Sequence, residues 1–135
     1  MALEQGQTTS FKLRCLSVLS GATLKMALYT EDAALGPDTA VYTTDGEVTG
    51  SGYTAGGVIL ANVVITTSGT TAYLSFDAPE WDPAEFSARG ALIYDATDSD
   101  SAVAVLDFGA TKVATTRFAP SMPLATATTA LIRLE

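Results

Sequence analysis

Four carboxylates crowd the one tryptophan of this chain: Asp77 and Glu80 before Trp81, Asp82 and Glu85 after it. Glycoside hydrolysis uses two carboxylates held across a deep cleft, with an aromatic platform for the sugar. A thin domain of 135 residues leaves little room for such a cleft. The expected role of Trp81 is to cap the core from a loop, and surface glycan binding is the functional alternative. A second acidic run, Asp95-Ala96-Thr97-Asp98-Ser99-Asp100, offers the oxygen ligands that calcium takes. It lacks the D-x-D-x-D-G alternation and distal glutamate of an EF-hand loop, so a solvated hairpin tip is expected. The glycine-dense stretch Gly50–Gly57, which contains Tyr53, has no G-x-x-x-x-G-K pattern and leads into β-branched residues. It reads as an ordered irregular loop with glycines at positive φ, not as a phosphate cradle.

The absences are as informative. The chain has no histidine, which excludes Ser-His-Asp and Cys-His nucleophiles, histidine-ligated metals and an imidazole switch. Cys15 is the single cysteine, so no intrachain disulfide forms, and a buried apolar role is expected for it. Arg89 precedes Gly90 in a strand-like run. Glycine there suggests a bulge or close backbone approach, with Arg89 paired to a carboxylate such as Asp107 or Glu47. A subunit contact is the other role open to Arg89. Trp81, Arg89, Asp107 and Tyr53 are thus the structural or interface candidates. No catalytic, metal or cofactor-binding residue is identified, and no cofactor is expected.

Fifteen acids against seven bases give a formal charge of −8, and the bases (Lys12, Arg14, Lys25, Arg89, Lys112, Arg117, Arg133) are scattered. Phosphate neutralisation needs clustered cations, so nucleic acid is not an expected partner, and an anionic membrane surface would repel the chain. The N-terminus has no basic start followed by an apolar run, so no signal peptide is expected. The apolar stretch from Val58 to Ile65 is too short to cross a bilayer.

Of all residues, 47% are apolar and only 16% charged, with 22 alanines and 20 threonines. This is a folding chain, not a disordered one. Residues 1–9 read as a flexible polar arm and 10–135 as a single domain. Between Thr9 and Gly21 two readings compete. Ser10 could cap a helix that buries Phe11, Cys15, Leu16 and Leu19 and stops at Gly21. Phe11 to Cys15 also alternates like a strand, but Leu16, Val18 and Leu19 break that alternation and favour the short helix. Beyond it the pattern is β: Thr23–Thr30, a short strand at Ala40–Thr44, a long run Val58–Thr67 hairpinned to Thr71–Phe76, and Ala88–Tyr94 hairpinned to Ser101–Phe108. Thr111–Phe118 and Ala125–Leu134 supply the last strands. Turn signals lie at Gly36-Pro37-Asp38, Asp45-Gly46 and Ser68-Gly69. Asp82-Pro83-Ala84-Glu85 suggests one helical turn. The fold class is therefore all-β, an antiparallel β-sandwich of about seven or eight strands with a short N-terminal helix.

Several runs in order resemble a family of small tailed-bacteriophage virion structural proteins. They are Ser10-Phe11-Lys12, Leu24-Lys25-Met26-Ala27-Leu28-Tyr29-Thr30, the stretch Glu47 to Gly57, Trp81, Ala88-Arg89-Gly90-Ala91-Leu92-Ile93-Tyr94, Ala102-Val103-Ala104-Val105-Leu106-Asp107-Phe108-Gly109 and Ala130-Leu131-Ile132-Arg133-Leu134. Similar proteins open with a helix ending in Gly-x-His, where this chain has Leu19-Ser20-Gly21-Ala22. The resemblance implies a non-enzymatic virion component, folded in the host cytoplasm before assembly. A capsid decoration (cement) protein is the first expectation. A tail, collar or fibre-associated protein, or a host-glycan-binding module, are the alternatives. Its partners would be other virion proteins, capsid or tail, and further copies of itself as a homo-oligomer, with a glycan as the alternative ligand.

Overall fold

The computed structural model describes residues 3–135. It is all-β, with seven strands in two antiparallel sheets and one short N-terminal helix, the elements a β-sandwich needs. Within the segment read as one domain, the contacts group into two compact units. Met1 and Ala2, the start of the expected arm, lie outside the described residues; residues 3–7 have no helix or strand and are exposed.

The first unit comprises the chain up to Gly21, Asn62–Phe76 and Met122–Glu135. Helix α1 (Thr9–Leu16) continues into a 3-10 turn, Ser17–Leu19. The helical alternative of the sequence is the one adopted, but its cap is Thr8, not Ser10: the Thr8 hydroxyl accepts from the Phe11 N–H at 3.2 Å. Gly21 stops the segment at φ +75°. Burial also differs from expectation. Leu16 and Leu19 are buried, whereas Phe11 and Cys15 are exposed. The helix instead buries the stem of Lys12, whose ammonium donates to the Thr70 carbonyl at 2.7 Å. That carbonyl sits in the tight turn between β3 (Val64–Ser68) and β4 (Thr71–Ser75), the hairpin expected from Ser68-Gly69. β4 also pairs with β7 (Ile132–Leu134), burying Ala72 and Leu74.

The second unit, Ala22–Ala61 with Asp77–Ser121, holds the larger sheet in the order β2-β1-β5-β6. Here β1 is Leu24–Tyr29, β2 is Val58–Ile59, β5 is Phe86–Asp95 and β6 is Ser101–Ala114. Central strand β1 is buried at five of its six positions, so the alternation of Leu24, Met26 and Leu28 marks only one of two buried faces. On the other face Ala27, Tyr29, Leu92 and Tyr94 form a cluster that Leu35, Tyr42 and Val105 pack against. Each large aliphatic side chain taken out of water stabilises by roughly 1.5–3 kcal/mol.

Five expected elements differ. The run Val58–Thr67 is two strands, because Leu60 donates its N–H to Leu24 in one unit and the chain enters the other at Asn62, φ +55°. Ala40–Thr44 forms no strand, only the bridge Val41–Ser101 at the edge of β6. Asp82–Glu85 is not helical, since Ala84 and Glu85 donate across the chain to Thr116 and Ser51. Thr111–Phe118 is no separate strand: its first part continues β6 through Gly109 at φ +84°, and the expected strand Ala125–Leu134 shrinks to β7. No described helix is long and apolar enough to cross a membrane.

Candidate functional site

The most concentrated polar chemistry lies in the second unit, around Glu47. This residue follows the turn Asp45-Gly46 and bridges Tyr29 of β1. Its carboxylate is nearly buried, at 9% exposure. It accepts from the Tyr42 hydroxyl at 2.6 Å, the Tyr53 hydroxyl at 2.5 Å and the Gly56 N–H at 2.8 Å. Bonds to a charged acceptor are about twice as strong as neutral ones. The Tyr53 oxygen also accepts from the Leu28 N–H at 3.0 Å, tying the glycine loop to β1. Tyr94 donates to the Gly56 carbonyl at 2.6 Å and stacks on Tyr42 with ring centroids 4.8 Å apart. Tyr29 donates to the Thr43 carbonyl at 2.6 Å.

This clasp explains why Gly50–Gly57 must be glycine-dense. Gly57 has φ +79°, and a Cβ there would run into the Met26 carbonyl of β1. Burial, then the neighbouring Glu47 charge, pushes the Tyr29 hydroxyl up to about 12. Burial and the bond to Glu47 hold Tyr42 and Tyr53 well above the usual phenol range, and burial raises Tyr94. All four hydroxyls are donors to acceptors within the clasp, so the arrangement is a lock on a loop.

The tryptophan cluster is built differently. Trp81 is 4% exposed and exchanges two backbone bonds with Phe118, each 2.8 Å. Its ring meets Phe118 at 5.9 Å, Tyr53 at 6.4 Å and Phe86 at 6.5 Å between centroids. Tilted and edge-on contacts of this kind add to the burial of the rings themselves. Asp77, Glu80, Asp82 and Glu85 are all exposed rather than gathered over the ring. Glu80 is paired with Arg117, which holds its carboxyl below the usual range. Trp81 therefore caps the core and offers no face to a sugar.

Arg89 pairs with Asp107, Nε to Oδ1 at 2.9 Å, and the Gly109 N–H donates to the same oxygen at 2.8 Å. Both bonds hold the Asp107 carboxyl low. Of the two carboxylates weighed for Arg89, Asp107 is its partner, while Glu47 serves the tyrosines. The register of β5 and β6 shifts between Ala88 and Gly90, a bulge at Arg89. A Cβ on Gly90 would lie 2.7 Å from the Leu106 carbonyl, the close approach its glycine implied. A cleft of about 260 Å³ opens beside the pair, lined also by Tyr29, Glu31, Leu35 and Leu106. At the acidic hairpin tip Asp95 turns inward to accept from the Thr97 N–H at 2.9 Å, and Ser99 and Asp100 take positive φ. Among the described residues no group of three or more Cys, Asp or Glu is placed to hold a metal ion.

Of the four candidates, Tyr53 and Trp81 meet in one cluster and Arg89 and Asp107 form the ion pair. Tyr42, Tyr94 and the clasp role of Glu47 were not legible: the Glu47 donors lie 5 to 9 residues away in irregular loop that no periodicity describes, and Tyr94 reaches Gly56 across 38 residues. No protein-family model, curated protein or solved structure matches this chain.

Proposed function

We propose that this protein is a non-enzymatic structural component of a tailed-phage virion, with capsid decoration as the first placement and a tail or collar position as the second. The resemblance carried by Glu47–Gly57, Ala88–Tyr94 and Ala102–Gly109 is one support. The single observation that carries the reading is how polar and apolar groups are distributed. The buried polar groups of the clasp end on partners inside the protein, while large apolar side chains stand in solvent: Leu3 at 99%, Val18 at 77% and Leu124 at 74% exposure. Such a surface suits contacts with neighbouring subunits.

The glycan-binding alternative depends on an exposed aromatic platform. Tyr29, Tyr94 and Trp81 are buried, and Tyr42, Tyr53 and Tyr73 are half-buried, which favours assembly over sugar recognition. The test is to image purified particles and count copies. Hundreds on the shell support decoration, a handful at one vertex supports tail or collar, and none on the particle refutes the virion reading.

A further inference from the structure

Helix α1 carries an exposed face that its own unit does not cover. Phe11 is 43% and Val18 77% exposed, and Arg14 and Cys15, one turn from each, are exposed as well. Residues three and four apart share one side of a helix, so Phe11, Arg14 and Cys15 form one stripe on α1, and Val18 lies in the 3-10 turn that follows it. The Arg14 guanidinium lies 5.8 Å from the Phe11 ring centre and makes no ion pair among the described residues.

Charge is segregated along the chain in a way that fits this stripe. From Gln5 to Thr30 there are bases but no acid; from Met26 to Ala88 there are acids but no base. The cleft beside Arg89 is lined by two carboxylates, Glu31 and Asp107, against the single base Arg89. Its Arg89 is paired with Asp107; Glu31, near enough to raise Arg89 further, makes no ion pair among the described residues and accepts from the Thr111 hydroxyl at 3.4 Å. Ala33, Leu35, Val105 and Leu106 give the same cleft apolar walls. At about 260 Å³ it falls below the roughly 300–1,000 Å³ of small-molecule sites and suits one side chain.

We infer that the exposed face of α1 docks on the Arg89 cleft of a second copy of this chain, with Phe11 against the apolar walls and Arg14 facing Glu31. A two-fold contact of α1 with itself would set Arg14 against Arg14. The charge pattern therefore favours a head-to-tail contact, which closes into a ring where the rotation permits. This goes beyond the virion reading and stands independently of it.

The test is analytical ultracentrifugation of the purified full chain across a salt series, with Arg14→Glu, Glu31→Arg, the double exchange, and Val113→Asp as a control elsewhere. Arg14, Glu31 and Val113 are all exposed, so circular dichroism should show unchanged folding. The wild type should self-associate more tightly at low salt. Each single reversal should weaken association at least about tenfold, because like charges then face each other, and the double exchange should restore it. Val113→Asp should leave it unchanged. A wild type that stays monomeric up to roughly 1 mM, single reversals that associate like the wild type, or a double exchange without recovery would each overturn the contact. The measurement uses no particle, so its failure leaves the virion reading standing, and absence from particles leaves this contact standing.

Discussion

Replacing Glu47 with Ala removes one acceptor and strands three donors: the Tyr42 and Tyr53 hydroxyls and the Gly56 N–H. A hydrogen bond to a charged group contributes about 1.5–3 kcal/mol, and a buried donor left unpaired costs about 1–3 kcal/mol. Gly56 is buried, whereas the two tyrosines are half-buried and recover part of their loss from water. The costs are not additive within one network, and the three neutral donors left behind, two of them half-buried, together cost about 3–5 kcal/mol. That is a large share of the roughly 5–15 kcal/mol that holds a domain together. For a chain of this size, each kcal/mol moves the Tm by about 3–5 °C, so Glu47→Ala should lower it by about 10–20 °C. Glu47→Gln keeps one acceptor oxygen and should fall by less than half as much. The assay is thermal unfolding followed by circular dichroism, paired with a spectroscopic tyrosine titration. Tyr42 and Tyr53 should titrate nearer pH 10 in the variant, since the bond to Glu47 is the second cause of their raised values. Tyr53→Phe combined with Glu47→Ala should be less damaging than the two costs summed. A Glu47→Ala melt within about 3 °C of the wild type would refute the clasp as a stabilising element.

Alkaline stability follows from the same residues. A folded pKa raised above the unfolded value means stability is fully present below pH 10 and lost as pH climbs through the folded value, about 12 for Tyr29. The protein should hold its Tm to about pH 10 and unfold above it with simultaneous absorbance from the four clasp tyrosinates; more than one tyrosinate per chain appearing at pH 10 without unfolding would count against this. Gly57→Ala should prevent soluble folding, because the new Cβ meets backbone at φ +79°. Gly90→Ala, which must move the Leu106 carbonyl from 2.7 Å, should cost about 1–3 kcal/mol in urea unfolding; equal stability for both variants would contradict the packing. Cys15 is exposed, so a thiol reagent should label one sulfur per native chain without denaturant, and labelling that needs denaturant would place it inside.

Local rules were strong where neighbours in sequence are also neighbours in space. The hairpin at Ser68-Gly69 and the one across Asp95–Asp100 each need only a turn signal and flanking alternation, and both formed. The bulge at Arg89-Gly90 was legible because glycine inside a strand has few other physical reasons. The same rules failed where distant backbone competed. Asp82–Glu85 has a helical-turn pattern, yet its N–H groups find Thr116 and Ser51 instead. On α1 the apolar pattern pointed to Phe11 and Cys15 as core, while the hairpin turn 58 residues away claimed Lys12 through its carbonyl.

What the sequence by itself determined was the class of structure and the absence of certain chemistry. Short β-branched runs at regular spacing can bury their faces only by pairing, and a chain without histidine has no imidazole to offer at any position. What only the tertiary structure decided was the use made of individual polar groups. Whether Glu47 met Arg89 or three donors, and whether Trp81 faced a sugar or Phe118, depended on which segments were brought within a few ångströms of one another. Sequence spacing does not settle it: the Glu47 donors lie only 5 to 9 positions away but reach it only once the irregular Gly50–Gly57 loop is folded against β1, and Trp81 meets Phe118 from a distant segment.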